Sequence, residues 1–209
     1  MPRTYGDTVI HISQIDSLVE VNDREIYAKP DRGKPNEIVT SYGYGSRKFY
    51  DVINNNPLFH FESCEWTNRP EVIRANSKMT CINACIEIDL TGQVASDSIG
   101  GTLYSGFGGQ VDFISSASTT YDGKGKAIIA LPSRTSKGKP KIVAALPQNA
   151  GVVTTRGHVQ FVVTEYGIAD LAGKNVRQRA YELIKIAHPD DRQLLEKQAF
   201  ERLKCMPSL

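Results

Sequence analysis

Short apolar runs and amphipathic stretches follow one another along the chain, and this order predicts interleaved β-strands and α-helices. Runs rich in β-branched residues, typical of strands, are "DTVIHISQIDSLVEV", "EIVTSYGYG", "KAIIALP", "KIVAAL", "GVVTT" and "VQFVVTEYG". Helical spacing of apolar positions occurs in "SRKFYDVINNN", "NRPEVIRANSK", "QVDFISSAS", "NVRQRAYELIKIA" and "DDRQLLEKQAFERLK". Because most strand runs are apolar and alternate with helices, we predict an α/β fold with a largely parallel sheet.

Capping and turn residues place several boundaries of these elements. Ser46 is suited to cap the helix in "SRKFYDVINNN", and Pro70 is suited to the first turn of the next one. The Thr91-Gly92 pair stands between "MTCINACIEIDL" and "GQVASDS", which predicts a hairpin there. The polar stretch "AKPDRGKPNE", with two prolines, is predicted to be a linker or loop.

The stretch "SIGGTLYSGFGGQVDF", residues 98–113, contains five glycines just before a predicted helix. Gly106, Gly108 and Gly109 precede Gln110, so backbone N–H groups at the helix start could receive an anion or a developing oxyanion. The spacing is not that of a P-loop, and Val111 occupies the position of the last glycine of a dinucleotide-binding loop. A flexible loop with a glycine cap is the alternative.

Two further stretches contain polar side chains that could bind a ligand. The stretch "SRTSKGKPK" contains the basic side chains of Arg134, Lys137, Lys139 and Lys141. It could hold a phosphorylated ligand, or it could be a solvated loop. In "TEYGIADL", Glu165 and Tyr166 follow an apolar strand, at the end where α/β sheets bind ligands. The alternative is that Tyr166 packs and Glu165 caps a turn.

Composition narrows the class of protein. The 209 residues carry 25 basic and 23 acidic side chains, so the net charge of +2 gives no footprint for nucleic acid or a membrane surface. No signal peptide and no apolar run of membrane-spanning length is present in the sequence, and we expect a cytoplasmic protein. The four cysteines, spaced too widely for a usual zinc site, are expected to be reduced thiols, and no metal site is predicted.

Several motifs occur together in one order: "INACIEIDLTGQVASDSIGG", "YSGFGGQVDFI", "KAIIALPSRTSKGK", "VTEYGIADLAGK" and "RAYELIKIAHPDDR". In this arrangement the chain resembles the acetyl-CoA hydrolase/transferase family, which includes acetate, butyrate and 4-hydroxybutyrate CoA-transferases. The resemblance implies the CoA-transferase (NagB/RpiA-like) α/β fold and transfer of CoA between an acyl-CoA and a short-chain carboxylate. A glutamate attacks the thioester in such enzymes, and a mixed anhydride and a glutamyl-CoA follow. It implies no permanently bound cofactor, with acyl-CoA as a substrate.

The resemblance also implies roles for particular residues. The family's glycine loop near the thioester matches Gly106, Gly108, Gly109 and Gln110, with Gly109 at the oxyanion. The asparagine that orients the reacting groups matches Asn68. We also expect Lys137, in the basic stretch, to bind CoA.

The chain departs from the family pattern at its catalytic glutamate. None of its eleven glutamates stands in a context like the family's G-I-H-T-E-M stretch, and the family's first glycine-rich CoA loop has no match. We therefore expect residues 1–31 to be the end of a first CoA-transferase domain plus a linker, with the intervening segment absent. Residues 32–209 are expected to form the C-terminal acetyl-CoA hydrolase/transferase domain, and the fold to be incomplete.

Two hypotheses of different class follow. The chain is either a member of the CoA-transferase class or a catalytically inactive remnant, an interaction module that keeps half of a CoA-binding pocket. Because deletion leaves strand edges unpaired, we expect marginal stability and either self-association or a partner chain that supplies the missing half. We expect no glutamyl-CoA intermediate on this chain alone, and we expect Gly109 or Gln110 in the first turn of a helix.

Overall fold

The computed structural model of the protein describes residues 38–41, 43 and 46–208, and these residues form an α/β structure. The strands are β1 (Ile38–Thr40), β2 (Phe59–Phe61), β3 (Thr80–Ala84), β4 (Glu87–Asp89), β5 (Val94–Ala95), β6 (Ser98–Ile99), β7 (Thr102–Leu103), β8 (Lys126–Ala130), β9 (Ile142–Val143), β10 (Phe161–Thr164) and β11 (Gly167–Asp170). The helices are α1 (Arg47–Ile53), α2 (Cys64–Thr67), α3 (Pro70–Ala75), α4 (Gln110–Ala117), α5 (Val176–Lys185) and α6 (Pro189–Leu203). The predicted fold class is confirmed.

The described residues divide into two compact units. The first comprises the described residues up to Ile82 together with Ser116–Lys126. Strands β1 and β2 pair in parallel within it. The Ser46 side chain accepts a hydrogen bond from the backbone N–H of Phe49 at 3.3 Å, which caps α1 as predicted. The Asp122 carboxylate accepts from the Lys78 N–H at 2.7 Å and from the Lys124 N–H at 2.9 Å, and these bonds lower its pKa.

The second unit comprises Asn83–Ser115 and Ala127–Leu209. Strand β10 pairs in parallel with β8 and antiparallel with β11, and β4 pairs in parallel with β9 and antiparallel with β5. The core of this unit includes the fully buried side chains of Ile88, Ile129, Val162 and Leu183. The parallel pairing of β8 with β10 brings their carboxyl ends to one edge, where two of the predicted ligand-binding stretches begin.

Most predicted elements are found where the pattern placed them. Helix α3 begins at Pro70, helix α4 covers most of "QVDFISSAS", and the antiparallel β4–β5 pair encloses Gly92, whose φ is +94°. The strand patterns before Ile38 and the polar stretch "AKPDRGKPNE" lie outside the described residues, and so does the predicted boundary near residue 31. No helix among the described residues combines the length and the apolar character that crossing a membrane needs.

Two strand predictions are wrong in extent. In "KIVAAL" only Ile142 and Val143 form a strand, and "GVVTT" forms none. Thr154 instead makes an isolated antiparallel bridge with Val94, whose N–H donates to the Thr154 carbonyl at 3.0 Å. Val153 and Thr154 are buried. The β-branched composition of this stretch therefore reflects burial, which strand propensity also measures.

Candidate functional site

A short hairpin carries the first glycines of the motif. Strands β6 and β7 pair antiparallel, with Ser98 opposite Leu103, and Gly100 and Gly101 turn between them with φ values of +58° and +81°. Such left-handed backbone favours glycine, as two-residue hairpin turns require. A Cβ on Gly101 would also overlap the backbone carbonyl oxygen of Gln148. The sequence predicts a loop for this segment, because two-residue strands leave no alternating pattern.

The segment of residues 104–109, here called the glycine loop, leads from the hairpin to α4. The N–H groups of Tyr104 and Ser105 both donate to the carbonyl oxygen of Asp97, at 2.7 and 3.2 Å, and fix the start of the loop. Gly106 and Gly108 are exposed, and a Cβ on either would meet no atom within 4 Å. The predicted open loop ahead of a helix is confirmed. Asp97 was missed, because it acts through its backbone carbonyl, a group that every residue has.

Helix α4 begins at Gln110, directly after Gly109. The Phe113 N–H donates to the Gly109 carbonyl at 3.2 Å, so Gly109 stands at the helix start as predicted. The Gln110 side chain is 5% exposed, and its Nε2 donates to the Ala84 carbonyl at 3.0 Å. Its Oε1 is buried and has no partner among the described residues. Gln110 therefore faces inward and ties α4 to the end of β3, and its role in binding CoA stays a prediction.

The basic stretch after β8 forms a tight turn. The Thr135 N–H donates to the Lys139 carbonyl, the Gly138 N–H donates to the Thr135 carbonyl, both at 2.8 Å, and Gly138 has a φ of +76°. Lys137 and Lys139 are exposed at this turn. The Lys141 Nζ donates instead to the Cys85 carbonyl at 3.0 Å. Only part of the predicted basic cluster therefore faces solvent.

The polar residues after β8 and β10 bond to one another. Arg134 Nε and Nη2 donate to the two carboxylate oxygens of Asp191 at 2.8 and 2.6 Å, a bidentate pair. The Ser133 Oγ and N–H donate to the Glu165 carboxylate at 2.6 and 2.8 Å. These bonds lower the pKa of Glu165, and the Arg134 bonds lower the pKa of Asp191. We call Ser133, Arg134, Glu165 and Asp191 the strand-end cluster.

Tyr166 packs beside this cluster. Its ring meets the His188 ring edge-on, with the centroids 5.5 Å apart, and the Arg192 guanidinium lies 5.8 Å from the Tyr166 centroid. The N–H of Tyr166 donates to Thr164 Oγ1 at 3.1 Å. The packing alternative for Tyr166 is therefore supported, and Glu165 holds the backbone of Ser133.

Asn68 belongs to the first unit, whereas the glycine loop belongs to the second. It ends helix α2, where its N–H donates to the Cys64 carbonyl at 3.0 Å and its Oδ1 accepts from Thr67 Oγ1 at 2.9 Å. One side-chain oxygen is thus oriented by a neighbour. The orienting role implied for Asn68 stays a prediction.

Other reactive side chains have identifiable local roles. Burial raises the pKa of the Cys81 and Cys85 thiols to about 12, so both are poor nucleophiles near neutral pH. Burial also raises the pKa of Glu87, against the lowering effect of Lys141. The Glu182 carboxylate is paired with Lys174 Nζ at 2.8 Å. Within the described ranges, no three histidine, cysteine or acidic side chains gather as a metal site.

Comparison with known proteins identifies relatives of this chain. The sequence profile of the acetyl-CoA hydrolase/transferase C-terminal domain matches residues 45–199. A succinyl-CoA:acetate/propanoyl-CoA:succinate CoA transferase of Fasciola hepatica is 52% identical over 204 residues, which cover 98% of this chain and 41% of that protein. A 4-hydroxybutyrate coenzyme A transferase of Clostridium kluyveri is 49% identical over 162 residues, covering 77% of this chain and 37% of the relative.

A solved structure agrees with these matches. The crystal structure of 4-hydroxybutyrate CoA-transferase from Porphyromonas gingivalis superposes with a TM-score of 0.73 at 37% identity. The superposition covers 89% of this chain and 43% of that one. The expected CoA-transferase fold is thereby confirmed, and the chain spans about 40% of the length of the curated relatives it matches.

Proposed function

Because the chain belongs to the acetyl-CoA hydrolase/transferase family, we propose that it binds acyl-CoA for the transfer of CoA to a short-chain carboxylate. The observation that carries the proposal is the glycine loop, which is fixed at its start by Asp97 and has open space over Gly106 and Gly108. A ligand can approach the backbone there, because no atom of the described residues lies within 4 Å of where a Cβ of these two glycines would be.

The thioester carbonyl is proposed to lie near the N–H groups at the start of α4. The Gly109 and Gln110 N–H groups would stabilise the negative charge that develops on its oxygen when a nucleophile attacks, with help from the helix dipole. Lys137, exposed at the turn after β8, would contact a phosphate of CoA.

The attacking carboxylate is not proposed among the glutamates of this sequence. Glu165 follows the parallel strand β10, but its carboxylate is held by two bonds from Ser133, which lower its pKa. A carboxylate stabilised in this way is less basic and a weaker nucleophile. We therefore propose that the chain binds acyl-CoA without forming a glutamyl-CoA, and that a partner chain of different sequence supplies the carboxylate that transfer requires.

The tests are calorimetric titration with CoA and mass spectrometry after incubation with acetyl-CoA and butyrate. We expect CoA binding, no exchange of acyl groups and no CoA-mass adduct on the protein. An adduct on Glu165 or Glu87 would contradict the absence of a covalent step. Sedimentation of the purified chain tests the expected association, since a monomer that melts cooperatively at micromolar concentration would contradict it.

One pair of variants tests the loop itself. Gly106→Leu places a side chain where the structure has open space, so it should block the ligand and leave the fold intact. Gly157→Leu is the matched control, because a Cβ there makes only an ordinary contact of 3.6 Å with Thr155. We expect CoA affinity to fall more than about tenfold in the first variant, about 1.4 kcal/mol, and to stay unchanged in the second. Equal affinities in both would contradict the proposed site.

A further inference from the structure

The hairpin and the glycine loop expose a run of large apolar side chains. Five of them are exposed within thirteen residues: Ile99, Leu103, Tyr104, Phe107 and Val111. Leu103 and Tyr104 are each 75% exposed and Phe107 is 59% exposed. Apolar side chains scattered singly are common on protein surfaces, whereas neighbouring ones that stay exposed, such as Leu103, Tyr104 and Phe107, are typical of a surface that binds a ligand.

The backbone that carries these side chains is held at both ends of the hairpin. Gly101 at the turn lies against the Gln148 carbonyl, so closely that a Cβ would not fit. The Asp97 carbonyl accepts from the N–H groups of Tyr104 and Ser105 at the other end. Leu103 and Tyr104, whose backbone is fixed in this way, lose little conformational entropy when they bind a ligand.

The charge of the segment restricts what can occupy it. No acidic or basic residue occurs from Ser98 to Val111, although 23% of the chain is charged. The side chains of this surface therefore offer no charge to a phosphate or to an ionised carboxylate. It matches an uncharged chain of methylene and amide groups, and an acyl-CoA has such a chain on both sides of its thioester.

We infer that Phe107 contacts the acyl group of bound acyl-CoA and sets the preference for acyl chain length, and that Leu103 and Tyr104 contact the pantetheine arm. This inference rests on the proposed function, which places the thioester at the start of α4. Phe107 is two residues before Gly109, and consecutive Cα atoms are about 3.8 Å apart. Its ring is therefore within reach of groups attached to a thioester at the Gly109 N–H.

The test is calorimetric titration of the full chain with CoA, acetyl-CoA and butyryl-CoA. A fully buried methylene strengthens binding about fourfold, so a partly exposed surface should give about twofold for each methylene. We expect butyryl-CoA to bind about fourfold more tightly than acetyl-CoA. In Phe107→Ala this ratio should fall below about twofold, while affinity for CoA without an acyl group changes by less than about twofold. Phe107→Leu should give an intermediate ratio.

Tyr121→Ala is the matched control, because Tyr121 is 62% exposed but belongs to the other unit. In Tyr121→Ala the ratio of butyryl-CoA affinity to acetyl-CoA affinity should equal that of the unchanged protein. If Phe107→Ala weakens CoA, acetyl-CoA and butyryl-CoA equally, or none of them, the inference is wrong and the proposed function stands. If Phe107→Ala abolishes self-association and leaves the ratio unchanged, the surface binds a second copy instead. If the unchanged protein binds no CoA, the proposed function itself is wrong.

Discussion

The strand-end cluster has charged side chains that are already bonded to one another, whereas the glycine loop has no charged side chain but an open backbone. The cluster contains an arginine, two carboxylates and a serine hydroxyl, yet bonds of 2.6–2.8 Å join these groups in pairs. The glycine loop contains no charged side chain, yet its backbone is open over Gly106 and Gly108. Ligand binding needs groups that are not already bonded to one another, and the proposed function therefore uses the main chain of the loop rather than the side chains of the cluster.

Each region has a structural requirement of its own. In the cluster, Asp191 and Glu165 tie the start of the basic turn to the residues that follow β10 and to helix α6. In the loop region, the Gly101 turn and the Asp97 carbonyl hold the hairpin. If this comparison is right, substitutions in the cluster lower the free energy of unfolding and leave CoA affinity unchanged. In the loop region, substitution of Gly101 should lower stability, whereas a large side chain at Gly106 should lower CoA affinity.

The largest effect is expected from Gly101→Ala. Its φ of +81° disfavours a side chain, and the new Cβ would overlap the Gln148 carbonyl, so the backbone must shift. We expect the free energy of unfolding to fall by about 2–4 kcal/mol. Urea denaturation measures it, with Gly106→Ala as control, because that position has open space and should change stability by less than about 1 kcal/mol. Equal losses of stability in the two variants would contradict the view that the fold requires a glycine at position 101 but not at position 106.

An effect of intermediate size is expected from Asp191→Ala. The Asp191 side chain is 12% exposed and that of Arg134 is 27% exposed, so removal of the carboxylate leaves a partly buried guanidinium without its bidentate partner. We expect a loss of about 1–3 kcal/mol in the free energy of unfolding. Calorimetric titration should give an unchanged affinity for CoA. A loss of CoA affinity without a loss of stability would make the cluster a ligand site and reverse the comparison.

The pH dependence of this loss gives an independent control. The Arg134 bonds hold the pKa of Asp191 below its usual range, so the pair stabilises the fold fully above the unfolded pKa of about 4. Its contribution disappears as the pH falls through the lower pKa of the folded state. The difference in stability between the unchanged protein and Asp191→Ala should therefore be constant near neutral pH and shrink below about pH 4. A difference that persists in acid would indicate lost packing.

The sequence indicated the position of the glycine loop, because glycines concentrated before an amphipathic stretch predict an open turn ahead of a helix. It could not indicate that Asp97 holds the loop, since a backbone carbonyl leaves no trace in residue type. It also could not decide whether "SRTSKGKPK" holds a phosphorylated ligand or is a solvated loop. Nor could it decide whether the polar residues of "TEYGIADL" bind a ligand or stabilise the fold. Whether Arg134 binds a phosphate or Asp191 depends on residues 57 positions apart in the chain, which only the fold brings together.

The inward orientation of Gln110 is a second case of this kind. A glutamine next to glycines is compatible with a side chain that reaches a ligand, and the resemblance implied a CoA-binding residue. The structure shows its amide donating to Ala84, 26 residues earlier, from a position that is 5% exposed. Side-chain direction at the first turn of a helix follows from what the helix packs against, and sequence spacing does not contain that information.

The smallest effect is expected at the basic turn. Substitution of Lys137 tests whether this turn contacts a phosphate of CoA or is a solvated loop. Lys137 and Lys139 are both exposed, two residues apart on the turn that Gly138 closes, so each is the natural control for the other. An exposed lysine on a phosphate contributes about 0.2–1 kcal/mol, so Lys137→Ala should weaken CoA binding by about threefold at low ionic strength. The effect should diminish as salt screens the charge, and should be absent with pantetheine, which has no phosphate. Lys139→Ala should leave all these affinities unchanged. Equal weakening by both variants would mean that the turn contributes only a diffuse positive potential, and that the basic stretch is a solvated loop rather than part of the site.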